Sequence, residues 1–126
     1  QRKICVLGGT GGGRDHWKRP LMGQIASQNC DHVIFTNEDP YYEDPAAILA
    51  AVAAGAGRAN HEIILDRRAA IARAIALARA GDVVLITGKG TDPYIMAEHG
   101  RKIPWDDAKV VREELVHART TGSRNN

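Results

Sequence analysis

Four short apolar runs, separated by stretches with helical spacing, constrain this chain more than any other feature. They are KICVL at 3–7, HVIFT at 32–36, EIIL at 62–65 and DVVLIT at 82–87. Each has the length of a strand rather than a helix, and the last is apolar throughout its middle, as in a strand covered on both faces. Helical segments lie between them. RPLMGQIASQ at 19–28 places Pro20 in a first turn. Asp44-Pro45 supplies an N-cap and a first helical residue for a helix that stops near Gly55 and Gly57. Asp66 caps RRAAIARAIALARA, whose Ile71, Ile75 and Ala78 recur at i, i+4 and i+7, and Gly81 ends it. A glycine-rich loop, a short strand around Arg101 to Ile103 and a helix DDAKVVREELVHA from Asp106 follow. Such alternation predicts an α/β domain, a mostly parallel sheet of about five or six strands flanked by helices with right-handed crossovers. The domain is expected over residues 1–119, with the polar TTGSRNN at 120–126 as a frayed tail.

The 126 residues suffice for one domain with a core. A net charge of +2 without a basic cluster argues against nucleic acid as a partner. The alanine-rich run at 46–56 is about half of the ~20 residues a membrane helix needs, and no signal-peptide pattern is present, so no membrane association is expected. Cys5 and Cys30 show no metal spacing and read as buried reduced thiols of a cytoplasmic protein. The start almost directly in a strand predicts a piece of a longer polypeptide.

In parallel sheets ligands gather beyond the carboxyl ends of the strands. The loops expected there are GGTGGGRDHWKRP at 8–20, NEDPYYEDP at 37–45 and GKGTDPY at 88–94, all rich in glycine or charge. The first does not fit G-x-G-x-x-G in any frame, and Gly88-Lys89 lacks the following Ser or Thr of a P-loop. A ribose-gripping role for Asp15 with positive charge from His16, Lys18 and Arg19 stands beside a plain strand-to-helix turn with solvated charges.

Several motifs in order resemble the Mur ligase family, and within it the UDP-N-acetylmuramoyl-tripeptide synthetase (MurE type) branch. They are Gly11-Gly12-Gly13-Arg14-Asp15-His16-Trp17-Lys18-Arg19-Pro20, then Asp66-Arg67-Arg68-Ala69-Ala70-Ile71, then Gly81-Asp82-Val83-Val84-Leu85-Ile86-Thr87-Gly88-Lys89-Gly90-Thr91-Asp92, and Trp105-Asp106-Asp107 with Arg112-Glu113. The likeness covers nearly the whole chain and only the C-terminal, Rossmann-like domain of such enzymes. It implies an ATP-dependent ligase of peptidoglycan synthesis that joins an amino acid to a UDP-MurNAc-dipeptide, in the cytoplasm, with ATP and Mg²⁺ as cofactors of the whole enzyme. The central ATP-binding and N-terminal UDP-binding domains would be its partners. The domain alone is expected to lack ligase activity and to hold no cofactor tightly.

The resemblance also implies roles residue by residue. Asp15 is similar to the aspartate that reaches the ATP ribose, with Arg14, His16 and Lys18 near the nucleotide; His16 stands where the family has lysine. Glu38-Asp39-Pro40-Tyr41 resembles the amino-acid selector D-N-P-R, with Tyr41 in place of the arginine that grips the second carboxylate of diaminopimelate. Gly88 and Asp92 match the glycine and glutamate of G-K-G-H-E, which hold the incoming amino acid. Glu38, Asp39 and Asp92 are then expected to form an acidic rim suited to an ammonium group, as on lysine or ornithine. No catalytic or metal-binding residue is assigned. Two alternatives stay open: a stand-alone small-molecule module without catalysis, or the equivalent domain of a folylpolyglutamate or cyanophycin type synthetase. Elsewhere, His61, His99 and His117 read as surface residues, Arg67 and Arg68 as a solvated helix start, and Trp17 as an exposed patch. Trp105 suits either an adenine wall or the core, and Tyr41 and Tyr42 either a ligand or the loop itself.

Overall fold

The computed structural model describes residues 1–13 and 16–121. Strands β1 (Lys3–Leu7), β2 (His32–Phe35), β3 (His61–Ile63) and β4 (Val83–Ile86) form one parallel sheet in the order β3-β2-β1-β4. Helices α1 (Lys18–Asn29), α2 (Pro45–Ala53), α3 (Arg67–Leu77) and α4 (Asp107–Thr121) flank it. The two remaining strands, β5 (Tyr94–Met96) and β6 (Lys102–Pro104), stay outside this sheet as an antiparallel pair. Six strands therefore divide four and two.

The period-2 alternation of β1 sorts the core into two layers. Ile4 and Val6, with Ile34 of β2, pack against Ala70 and Ala74 of α3. On the other face Val33 and Phe35 pack against Leu49 and Val52 of α2. α4 closes over α3 through Val110 on Ile71 and Ile75. α1 and α2 touch backbone to backbone: a Cβ on Gly23 would run into the carbonyl of Val52, and one on Gly55 into that of Pro20. Both N-caps form as expected, with Asp44 accepting from the Ala46 N–H and Asp66 from that of Ala69.

The structure departs from the sequence expectations in several places. Cys5 and Cys30 are not free thiols but bonded to each other, because β1 and the end of α1 lie side by side. α3 stops at Leu77, three residues early, since the carboxylate of Asp82 takes the N–H of Arg79 and winds the chain into a turn. The strand expected around Arg101 is β6, and its partner β5 was not foreseen. Arg67 is buried rather than solvated, whereas Arg68 lies at the surface, paired with Glu113 and Glu114. α4 continues through Thr121 and takes the first two residues of the expected tail; residues 122–126 lie outside the described ones. Among the described residues no helix is long and apolar enough to cross a membrane.

Candidate functional site

Because β1, β2 and β4 run parallel and adjacent, the turns that follow them leave from one rim of the sheet. Their side chains interlock. The hydroxyl of Thr10 donates to Glu38 Oε1 at 2.6 Å, and the N–H of Gly11 donates to the carbonyl of Asp39 at 2.7 Å. The Glu38 carboxylate also lies over Gly88, where a Cβ would approach Oε2 to 2.5 Å; with φ at 107° that position favours glycine twice over. Lys89 reaches back to Asp39, at 2.8 and 2.9 Å to the two oxygens, and lies 3.4 Å from Asp92. Asp39 accepts a further bond from the N–H of Met96, and Tyr41, at φ 53°, donates its N–H to the Met96 carbonyl. β5 thus walls the site on one side. A cavity of about 210 Å³ opens between Asp39, Tyr41, Lys89, Asp92, Tyr94 and Met96. A second, of about the same size, lies beside Gly8 to Thr10, Lys18, Arg19 and Glu38.

The acidic rim is less negative than three carboxylates suggest. The Lys89 side chain is 1% exposed, so its charge is shielded from water and bound by Asp39. Asp92 remains as the carboxylate at this opening, while Glu38 faces the neighbouring cavity. A buried ammonium needs such a partner, because desolvating an unpaired charge costs several kcal/mol.

The first turn is held by Glu43. Its carboxylate accepts from both terminal nitrogens of Arg19 and from the N–H of Gly13, and His16 lies 3.3 Å away. The Arg19 hydrogen bonds, then that of Gly13, bring its pKa from 4.5 down to about 2. These contacts test the glycine run as a phosphate cradle. A cradle needs converging, unengaged N–H groups. Here the N–H of Gly11 faces Asp39 and that of Gly13 faces a carboxylate, so neither of these two amides is open to a phosphate. Among the described residues no group of three or more His, Cys, Asp or Glu could hold a metal ion.

A profile of the family described as "Mur ligase, glutamate ligase domain" matches residues 1–90. The chain belongs to the Mur ligase family. It is 49% identical over 112 residues to the UDP-N-acetylmuramoyl-L-alanyl-D-glutamate--2,6-diaminopimelate ligase of Nitrosomonas europaea, 89% of this chain and 21% of that protein. It is 45% identical over 121 residues to the UDP-N-acetylmuramyl-tripeptide synthetase of a Roseiflexus species, 90% of this chain and 23% of that protein. A solved UDP-N-acetylmuramoyl-L-alanyl-D-glutamate--2,6-diaminopimelate ligase superposes with a TM-score of 0.85 at 36% identity, covering 94% of this chain and 24% of that one. The chain therefore spans about a quarter of the length of these relatives.

Within this Mur ligase domain, the residues singled out from the sequence fall into three groups. Asp39, Tyr41 and Asp92 line one cavity together with Lys89, whereas Glu38, lying against Gly88, lines the neighbouring cavity of the first turn. His16 and Lys18 sit on the neighbouring turn, His16 beside Glu43 and Lys18 with its ammonium 5.5 Å from the Trp17 ring centre. Arg14 and Asp15 lie outside the described residues. Trp17 is exposed as expected. Trp105, half-buried, packs against the α3–α4 core and donates its indole N–H to Asp107 at 2.6 Å. Tyr42 is exposed and meets the His99 ring edge to face. Sequence reasoning missed Lys89, Arg19 and Glu43 as organisers of the site. Lys89 was visible inside G-K-G, but its partner Asp39 is 50 residues away and no local pattern links them.

Proposed function

We propose that this chain is the part of a MurE-type ligase that receives the incoming amino acid. The observation that carries the reading is the meeting of Asp39, Tyr41 and Asp92 around one cavity, framed by the buried Lys89–Asp39 pair, with Glu38 and Gly88 in contact beside it. Asp92 would attract the terminal ammonium of the amino acid, with Glu38 adding negative charge from the adjoining cavity. Gly88 leaves room for the Glu38 carboxylate against the third turn. The reaction forms a C–N bond between the α-amine of the amino acid and an activated carboxyl of a UDP-MurNAc-dipeptide, with phosphate leaving and the amine losing a proton. ATP with Mg²⁺ supplies the activation and belongs, with the UDP-linked peptide, to polypeptide beyond this chain. Asp15 would contact the ATP ribose, with Arg14, His16 and Lys18 beside it. Rotation of this domain onto the ATP-bearing one would bring the amine to the activated carboxyl and expel water that would otherwise hydrolyse it. Both nucleotide-linked substrates are cytoplasmic, and so would be the enzyme.

Tyr41 bears on which amino acid is taken. The names of the Nitrosomonas europaea relative and of the solved structure specify diaminopimelate. A charge-assisted hydrogen bond to its second carboxylate contributes about 1.5–3 kcal/mol, and a phenol makes only a weaker neutral one. Lys89 cannot take over, since it is buried and held by Asp39. We therefore read the site as favouring an amino acid with a terminal ammonium and no second carboxylate, such as lysine or ornithine.

The test uses the full-length enzyme with ATP and UDP-MurNAc-dipeptide. Phosphate release should depend on an added amino acid, and Asp15→Ala should raise the KM for ATP. Release indifferent to the amino acid, or unaltered ATP kinetics in the variant, would contradict the reading.

A further inference from the structure

We infer that Arg67 is a positioning residue that, beneath the Lys89–Asp39 pair, fixes where the second and third turns start relative to each other. Its guanidinium is 2% exposed at the start of α3. Nη1 donates to the carbonyl of Asn37 at 3.1 Å, and Nη2 donates to that of Thr87 at 2.9 Å. Asn37 immediately precedes Glu38, and Thr87 immediately precedes Gly88. One side chain thus grips the backbone two residues ahead of Asp39 and of Lys89, the buried pair that frames the opening.

The sheet alone cannot supply this link. β2 and β4 are separated by β1, so no ladder hydrogen bond joins them, and two strand spacings amount to roughly 10 Å. The two turns instead curl over the end of β1 toward the guanidinium. The fork itself is oriented by Asp107, which accepts from Nε and Nη2 at 2.9 Å each, and Asp107 is in turn steered by the Trp105 indole. Burial pushes the Asp107 carboxyl up, but the bonds from Arg67 and Trp105 outweigh it and hold the group below the usual carboxylate range. Asp107 therefore stays charged and the pair stays formed. An ion pair needed only to join α3 to α4 would require no contact with either carbonyl. A planar guanidinium can bind a carboxylate on one edge and two carbonyls with its remaining donors, whereas a lysine ammonium cannot span all three.

The inference rests on the amino-acid reading only for what the turns hold. The test is Arg67→Lys in the full-length enzyme, which keeps the charge opposite Asp107 and gives up the fork. Amide hydrogen exchange without ligands should quicken about tenfold in both 36–44 and 87–96, while β1 keeps its protection. The KM for the amino acid should rise about tenfold and those for ATP and the UDP-linked dipeptide stay within about twofold. Unchanged exchange in either turn, or an equal rise across the domain, would overturn the inference, since an ion pair alone is restored by lysine. Loosened turns with an unaltered amino-acid KM would uphold the tie and refute the amino-acid reading. Should Arg67→Lys not fold, Trp105→Phe, which removes only the donor that steers Asp107, decides by the same two exchange measurements, with a smaller effect in the same turns.

Discussion

Glu43 gives up its proton near pH 2 because Arg19 and the Gly13 amide bind the carboxylate form. Asp82 behaves alike, lowered from 3.8 to about 2 by the amides of Arg79 and Arg2 and by the Arg2 side chain. Both values are depressed by folding, so the unfolded chain binds more protons between them and the ordinary values. Their contribution is complete above about pH 5 and is lost as pH falls toward 2. Urea midpoints should therefore drop steeply between about pH 5 and pH 3, and Glu43→Gln should flatten that slope; equal slopes in variant and parent would refute the role given to Glu43. At Tyr41, restoring an arginine should raise kcat/KM for diaminopimelate relative to lysine by roughly ten- to a hundredfold. A parent enzyme that already prefers diaminopimelate would remove the basis for that expectation. Gly88→Ala places a methyl group against the Glu38 carboxylate at a positive φ. It should raise the amino-acid KM in a protein that still folds, and unchanged kinetics would show that Glu38 is free to move aside.

The helices are held by a few identifiable contacts. The Asp44 carboxylate accepts from the Ala46 amide at 3.0 Å, so Asp44→Ala should lower unfolding stability by about 1 kcal/mol; a loss near zero would mean that Pro45 alone starts α2. The elements with a clear period were legible from the sequence: the apolar runs of β1, β2 and β4, the Asp-Pro start of α2 and the face of α3 that carries Ile71 and Ile75. What could not be read there was long-range pairing. Arg67 at a helix start looks solvated until Asp107, 40 residues on, comes into place beside it. Three-residue β5 carries too little pattern beside Thr91, Asp92 and Pro93 to be told from a loop. The Cys5–Cys30 bond depends on where α1 ends, which spacing alone does not reveal.

At the scale of the molecule, a parallel sheet in the order β3-β2-β1-β4 delivers three turns to one rim, and Arg67, Lys89 and Glu43 lock them there. That placement was foreseeable from strand–helix alternation, since parallel strands end on one side; the locks were not. The outer edge of β4 stays open, with Val83 and Leu85 exposed. The central claim is that this rim receives the amino acid. Its most direct test is amide hydrogen exchange of the full-length enzyme, loaded with UDP-MurNAc-dipeptide and a non-hydrolysable ATP analogue, with and without the amino acid. Slower exchange on amino-acid addition in both 36–44 and 87–93 is the predicted result. Protection elsewhere in the enzyme with those two segments unaltered would contradict the account.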